Sequence, residues 1–374
     1  MFIESSNPVH SLPDSPRMRE AMAALEFSVV IDITMTETAQ CADYVLPAPT
    51  QYEKYECTFF NLEFPHNVFH LRKPVIEAPD GPLGEPEIHR RLVRALGALR
   101  DDDLVGLHEA AAQGLDAYAA AFAARMGERP QLVGLATVVL YETLGPVLPD
   151  GAAAAAALWG SAQMCAASYP DSVRRAGIDG EGPALGNALF EAALRERHGL
   201  LFSVDEHDSN WEWIARANGS GRLALAIPEL LDELAGIDAE RELSDPDFPF
   251  ILAAGERRSS TAQTLIRDPA WRKRDAKGAL RICPQDAAEL GIEDGGDVVV
   301  VTARGRRTTS IEITDMMCRG NISLPNGFGL EHGPDGVLTG IAPTELTTSD
   351  SRDPIAGTPW HKHVPARLEP VPIA

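Results

Sequence analysis

Two apolar runs, Val29-Val30-Ile31 and Tyr44-Val45-Leu46, bracket a short polar row in the stretch "VVIDITMTETAQCADYVLPAPT": Asp32, Thr34, Thr36, Glu37 and Thr38. In open parallel sheets, ligands bind beyond the carboxyl ends of the strands, and this row sits at such an end. Hydroxyls and free backbone N–H groups at a helix start suit phosphate oxygens. A carboxylate such as Asp32 suits a base edge with two adjacent donors, and guanine N1–H with N2–H₂ is one. The residue types therefore point to a nucleotide-bearing ligand. The same spacing also fits a capping cluster that ends one strand and begins a helix.

Other side chains invite chemistry less strongly. "FSVDEHDSNWEWI" sets Asp205, Glu206, His207 and Asp208 beside Trp211 and Trp213, but four consecutive residues point in four directions around a helix. A solvated helix start is the plainer expectation there. His361 and His363, in "WHKHVP", either relay protons or occupy the polar positions of a closing strand. The cysteines Cys41, Cys57, Cys165, Cys283 and Cys318 form no CxxC pair, so neither a zinc ribbon nor a local iron–sulfur motif is visible. Their scatter fits reduced thiols and a cytoplasmic location. No HExxH pattern, phosphate-binding glycine loop or Ser–His–Asp order occurs.

Three regions must position these residues. Residues 1–100 read as α/β: a strand at Met1–Ile3, a turn at Ser5-Ser6-Asn7-Pro8, a helix from Ser15 as N-cap to Leu25, and a buried strand at Phe27–Ile31. A short helix at Thr36–Ala42, a strand at Asp43–Leu46, an aromatic and proline-rich meander and a helix at Glu87–Leu99 complete it. Residues 101–245 are alanine-rich and mostly helical, and "GAAAAAALWG" carries no nameable chemistry. Residues 246–374 crowd short strands around one small helix, Pro284–Leu290, stopped by Gly291; that density predicts a compact β-barrel.

The bulk numbers fit this reading. A chain of 374 residues holds two or three domains with real cores. Its formal net charge of -22 argues against nucleic-acid or anionic-membrane partners, which need a positive surface. No run of about 18 apolar residues exists to span a bilayer, and "MFIESSNP" lacks the basic head and apolar stretch of a signal peptide.

The order "D-I-T-M-T-E-T-A-Q-C-A-D-Y-V-L-P", followed by Glu53, resembles the signature segment of the molybdopterin oxidoreductases, the family of formate dehydrogenases and nitrate reductases. "S-S-N-P" resembles that family's G-x-N-P turn, and "G-E-R-R-S-S-T" its arginine-bearing turn opening a dinucleotide-binding barrel. "P-Q-D-A-A-E-L-G-I-E-D-G-G-D-V-V-V-V", "G-N-I-S-L-P-N-G-F-G" and "L-T-T-S-D-S-R-D-P-I-A-G-T-P-W-H-K-H-V-P-A-R-L-E" are similar to later parts of the barrel. The resemblance implies an α/β plus all-β architecture: a partial Rossmann-like parallel sheet, the alanine-rich helical middle, and a C-terminal six-stranded double-psi β-barrel.

It further implies a molybdenum or tungsten bis-molybdopterin guanine dinucleotide cofactor. The cofactor residues carried over are Asn7, Asp32, Thr34, Thr36, Glu37 and Thr38 in the first region. In the barrel they are Gly255, Arg257, Arg258, Ser259, Thr261, Asn326, Gly327, Thr344, Asp350 and Lys362. Arg257 and Arg258 suit pyrophosphate as guanidinium forks. No segment matches the family's [4Fe–4S] cysteine cluster or its metal-ligating residue, so no catalytic or metal-ligating residue is assigned. The expectation is the C-terminal half of an enzyme: a truncated product, a misplaced start, or a subunit whose partner supplies the rest. Such a half would bind the cofactor weakly alone. Its partners would be a small-molecule substrate and the N-terminal half or an electron-transfer subunit. A non-catalytic barrel module and an inactive remnant are the alternatives; the strand-end segment upstream of the barrel argues against a bare module.

Overall fold

The computed structural model describes residues 1–57, 63–208, 211, 214, 221–237, 245–256, 258, 266–272, 277–332 and 335–371. The chain divides into two compact units, residues 1–46 with 226–374, and residues 47–225.

The first unit holds a three-stranded sheet in the order Phe2–Glu4, Val29–Asp32, Tyr44–Pro47. The first two strands run parallel, with Phe2 opposite Val29. A parallel pair needs a crossover, and the helix Ser15–Ala23 lies on that connection. The central strand is buried at Val29, Val30 and Ile31, as an uninterrupted apolar run in a covered strand should be. It starts later than predicted, because Phe27 and Ser28 precede the pairing and Phe27 is exposed.

Three local expectations need correction. Asp14, in the left-handed region, caps the helix by accepting from the Arg17 N–H; Ser15 is already inside it. The predicted Thr36–Ala42 helix shortens to a 3₁₀ turn, Ala39–Cys41: the Thr36 hydroxyl accepts from the Ala39 N–H as a cap does, but Ala42 is already extended, so the helix does not propagate. Tyr44–Pro47 is only half-buried, since it lies at the sheet edge.

Besides the exposed helix Pro228–Gly236 and a hairpin of Leu330–His332 with Val337–Thr339, the rest of this unit is organised around a closed six-stranded barrel. Its order is Asp297–Thr302, Arg306–Ile313, Leu280–Ile282, Asn321–Pro325, Phe250–Glu256 and Val364–Pro370, returning to Asp297–Thr302. Two pairings are parallel, Ile311 opposite Leu280 and Asn321 opposite Ile251; the others are antiparallel. Leu252, Leu280, Ile282, Val298, Val300 and Ile322 fill the interior. Gly291, at φ 64°, ends the helix Pro284–Leu290 as its position in the sequence predicts.

The second unit is built on helices around Tyr118, Trp159 and Phe190. Tyr118 and Phe122 meet the Trp159 ring edge-on at 5.3 and 5.4 Å, and the Tyr118 hydroxyl pairs with Thr143 Oγ1 at 2.6 Å. The alanine run opens as a 3₁₀ turn, Ala153–Ala156, before the helix Ala157–Ser168. This mostly helical region also contains a strand, Leu200–Val204, antiparallel to His66–Phe69. Among the described residues no helix is long and apolar enough to cross a membrane.

Candidate functional site

All the described cofactor candidates fall in the first unit, and they sort into three groups. The first is a buried polar knot. Asn7 Nδ2 donates to Glu37 Oε2 at 2.7 Å, and Asn7 Oδ1 accepts from the Thr38 N–H and hydroxyl at 3.1 and 2.8 Å. The Thr38 hydroxyl in turn accepts from the Val9 N–H at 3.0 Å. Glu37 also receives both arms of Arg267, at 2.9 and 3.0 Å. Arg267 comes from the loop after the first barrel strand, so this fork binds the barrel to the strand-end loop. Burial opposes ionisation of Glu37, but the guanidinium and the Asn7 amide outweigh it and hold the carboxyl below its usual range.

A second tie lies close by. The Ser15 hydroxyl donates to Thr344 Oγ1 at 2.8 Å, and Thr344 donates to the His10 carbonyl at 2.9 Å. Both hydroxyls are buried. Asp350 is at the surface, paired with Arg17 at 3.1 Å.

The second group opens to solvent. Asp32 ends the central strand half-buried, with Thr34 exposed beyond it. Burial pushes the Asp32 carboxyl up; the Ile33 and Thr34 N–H groups and the charge of Arg267 pull it back, leaving it above its ordinary value. The strand end is therefore within electrostatic reach of the barrel loop. Asp32 Oδ1 accepts from Ile33 N at 2.7 Å.

The third group is a bare turn at the barrel end. Gly255 has φ +85°, and a Cβ there would lie 2.4 Å from Asn326 Oδ1, so any other residue would be strained and would displace the Asn326 side chain. The Asn326 N–H donates to the Glu256 carbonyl at 2.9 Å. Gly327, also at positive φ, follows. Lys362 reaches back to donate to the carbonyls of Ala254 and Gly255 at 3.0 and 2.5 Å. Arg258 lies among acids: its Nε is 3.0 Å from Glu256 and its Nη1 3.6 Å from Glu312, which also bind Arg281. Arg257, Ser259 and Thr261 lie outside the described residues.

The sequence reading missed Arg267, Ser15 and Arg272. Arg272 stacks over the Phe328 ring at 3.9 Å and donates to the Gly327 carbonyl, bracing the Asn326-Gly327 turn from behind. No local signal marked Arg267, whose partner Glu37 lies 230 residues away. Nothing marked Arg272, since it sits in an irregular loop without periodicity.

The donor set fits the nucleotide part of a pterin dinucleotide. Asp32 is an acceptor for a base edge, Thr34 an exposed hydroxyl, and the Gly255–Gly327 turn with the Asn326 amide and Lys362 offers amide and ammonium groups to an anion. Among the described residues, no group of three or more His, Cys, Asp or Glu is placed to hold a metal ion.

Comparison with known proteins agrees with this geometry. Residues 1–81 match the family described as molybdopterin oxidoreductase, and residues 250–365 match the molydopterin dinucleotide binding domain. The F420-dependent formate dehydrogenase subunit alpha of Methanocaldococcus jannaschii is 28% identical over 359 residues, 92% of this chain and 41% of the relative. The F420-dependent formate dehydrogenase 2 subunit alpha of Methanococcus maripaludis is 25% identical over 374 residues, 99% of this chain and 43% of the relative. The acetylene hydratase of Pelobacter acetylenicus shares the fold with a TM-score of 0.62 at 18% identity, over 99% of this chain and 44% of that one. The chain thus spans less than half the length of the relatives it matches.

Proposed function

Because the chain belongs to the molybdopterin oxidoreductase family, we propose that it forms the dinucleotide-holding part of a formate dehydrogenase-like enzyme. The cofactor proposed is molybdenum or tungsten bis-molybdopterin guanine dinucleotide. When bound, it supplies two-electron redox chemistry on a small substrate; the residues of this chain bind and orient it. A [4Fe–4S] cluster and a metal ligand belong, in this reading, to protein outside this chain. The two parallel pairings in the barrel support a double-psi topology for residues 246–374. Residues 1–100 are read as the partial Rossmann-like domain and 101–245 as the variable helical region.

One observation carries the reading. Two segments more than two hundred residues apart are fastened together by Glu37 and Arg267, and Asp32 ends the strand that leads into the Glu37 loop. In the proposed arrangement the Asp32 carboxylate accepts from the two adjacent N–H donors of guanine. Thr34 and the Asn326-Gly327 turn meet ribose and phosphate oxygens, and Lys362 supplies a point charge. Asn7, Thr36, Glu37, Thr38 and Thr344 act as the frame, and Gly255 makes room for the Asn326 side chain. Arg257, Arg258, Ser259, Thr261 and Asp350 stay proposed contacts.

The matched relatives are named as alpha subunits, and we extend to this chain a partner subunit that takes up electrons. The five cysteines, all free, suit a reducing compartment, and we place the protein in the cytoplasm.

Calorimetric titration with guanosine diphosphate tests the site. Guanosine diphosphate should bind about tenfold more tightly than adenosine diphosphate, as one lost paired donor set costs roughly 1.4 kcal/mol. Asp32→Asn should abolish the difference. Equal affinity for the two nucleotides in the parent chain would sink the assignment of Asp32.

A further inference from the structure

The alanine-rich unit, to which the functional reading gives no role, contains a chamber of about 220 Å³. The helices Ala157–Ser168 and Pro183–Arg195 form one side and the strand pair His66–Phe69 and Leu200–Val204 the other. Phe69, Leu158, Leu189, Phe190, Leu200 and Phe202 supply most of the wall. Protein interiors normally pack at crystal density with few voids larger than a water molecule. An apolar cavity of roughly 150 Å³ is already enough to stay dry and admit benzene. This chamber is larger.

The sequence explains why it exists. Ala162 and Ala193, on the two facing helices, both line it, and neither side chain extends far enough to fill it. On the strand side, Val68 and Phe69 are consecutive yet both line the chamber, next to a register shift between Asn67 and Val68.

Polar clamps, most of them part-buried, tie the walls in place. Asn187 Oδ1 accepts from Trp159 Nε1 at 2.8 Å and from Gln163 Nε2 at 2.7 Å, fixing the helices to each other. Asn187 Nδ2 donates to Asp116 at 2.8 Å. Asp205 accepts from Asn67 at 2.9 Å and from Ser172 at 3.0 Å, fixing the strands. Sliding the walls together would break these bonds, and the buried Trp159–Asn187 pair would have no water to turn to.

The wall also states what would fit. It contains no Asp, Glu, Lys, Arg or His. Its polar groups are the exposed Ser161 hydroxyl, at the rim, and the Cys165 thiol. Burial pushes the Cys165 thiol up, with Asp205 adding to the effect, so it remains a neutral, weakly polar wall atom. A charged ligand would be stripped of water with nothing to compensate it.

We propose that this chamber is a binding site for an uncharged apolar small molecule, an aromatic or aliphatic group of about ten carbon atoms, with any single polar end directed to Ser161. The site stands on residues 47–225 alone and does not depend on the cofactor reading.

Titration of the 374-residue chain with N-phenyl-1-naphthylamine, a neutral dye whose naphthyl group has this size, tests it. Saturable fluorescence at one site per chain is expected. Ala193→Phe and Ala162→Leu, which fill the chamber, should abolish it, while Leu231→Gln, on an exposed helix elsewhere, should leave it unchanged. Circular dichroism identifies any filled variant that fails to fold. A second measurement needs no substitution: methyl methanethiosulfonate labelling read by peptide mass spectrometry. Dye at ten times its dissociation constant should slow modification of Cys165 about tenfold and leave Cys318 unaffected. Non-saturable fluorescence, loss of signal in Leu231→Gln alone, or unchanged Cys165 labelling with dye would each overturn the proposal.

Discussion

The two units are held together by opposite means. In the unit made of residues 1–46 and 226–374, a few buried polar ties join segments far apart in sequence: Glu37 with Arg267, Asn7 with Thr38, Ser15 with Thr344. In residues 47–225 the cohesion rests mainly on an alanine and aromatic core around Tyr118, Trp159 and Phe190, with polar clamps at its edges. The difference is instructive. Polar ties are directional and specify which segments meet; apolar packing tolerates substitution provided volume is kept. A ligand frame benefits from the first kind and a variable region from the second.

The contrast can be broken most sharply at Glu37. Glu37→Ala leaves the Arg267 guanidinium without its carboxylate and should cost about 3–5 kcal/mol. Hydrogen-exchange mass spectrometry should show that loss over residues 1–46 and 277–332, with residues 107–195 keeping their protection. The mirror experiment is Phe190→Ala, a fully buried ring, expected to cost about 3–5 kcal/mol. It should deprotect residues 107–195 and leave guanosine diphosphate binding intact.

Acid should also separate the units. Burial holds the His10 imidazole below its ordinary value of 6.5, so its folded form binds a proton less readily than the unfolded chain. Glu37 is likewise held below its ordinary 4.5. For both groups the stabilisation is complete above the ordinary value and is lost as pH falls towards the folded one. The first unit should therefore begin to loosen below about pH 6.5. In the second unit, the Arg90 and Arg91 guanidiniums hold Glu87 down to about 2, so its contribution is lost only as pH falls from 4.5 towards that value. Thermal melts read by exchange at pH 5.5 should find the first unit weakened and the second unchanged.

Smaller effects complete the series. Ser15→Ala removes one buried hydrogen bond, leaving Thr344 bound to the His10 carbonyl, and should cost about 1 kcal/mol by urea unfolding. Asp350→Asn breaks an exposed pair with Arg17 and should shift stability by less than about 0.5 kcal/mol. A larger loss there would mean that the polar ties of the first unit act cooperatively out to its surface.

Much of the first unit was legible in the sequence because local rules and the tertiary environment agree there. Val29 to Ile31 forms a central strand because continuous apolar runs suit burial on both faces, and Gly291 ends its helix because it can turn left-handed. The polar row was visible as a cluster. What it does split in a way that spacing could not show: Asp32 and Thr34 open outwards, while Glu37 and Thr38 turn in to meet Asn7 and Arg267. A partner 230 residues away leaves no local trace. The second unit was less legible. Alanine fits helix cores and helix surfaces alike, so its periodicity says little. The strand Leu200–Val204 owes its state to pairing with His66–Phe69, which no local propensity reports.

The pairing of Ser15 with Thr344 spans 329 residues, which has a consequence for synthesis. A ribosome adding 5–20 residues per second would expose the first segment for roughly 15–70 s before its counterpart emerges. Residues 47–225 leave the exit tunnel within that interval and can fold first, as an insertion completed inside an unfinished host. The sheet of Phe2–Glu4 and Val29–Asp32 meanwhile waits with part of its surface bare, a natural client for a chaperone until the closing barrel strand is released.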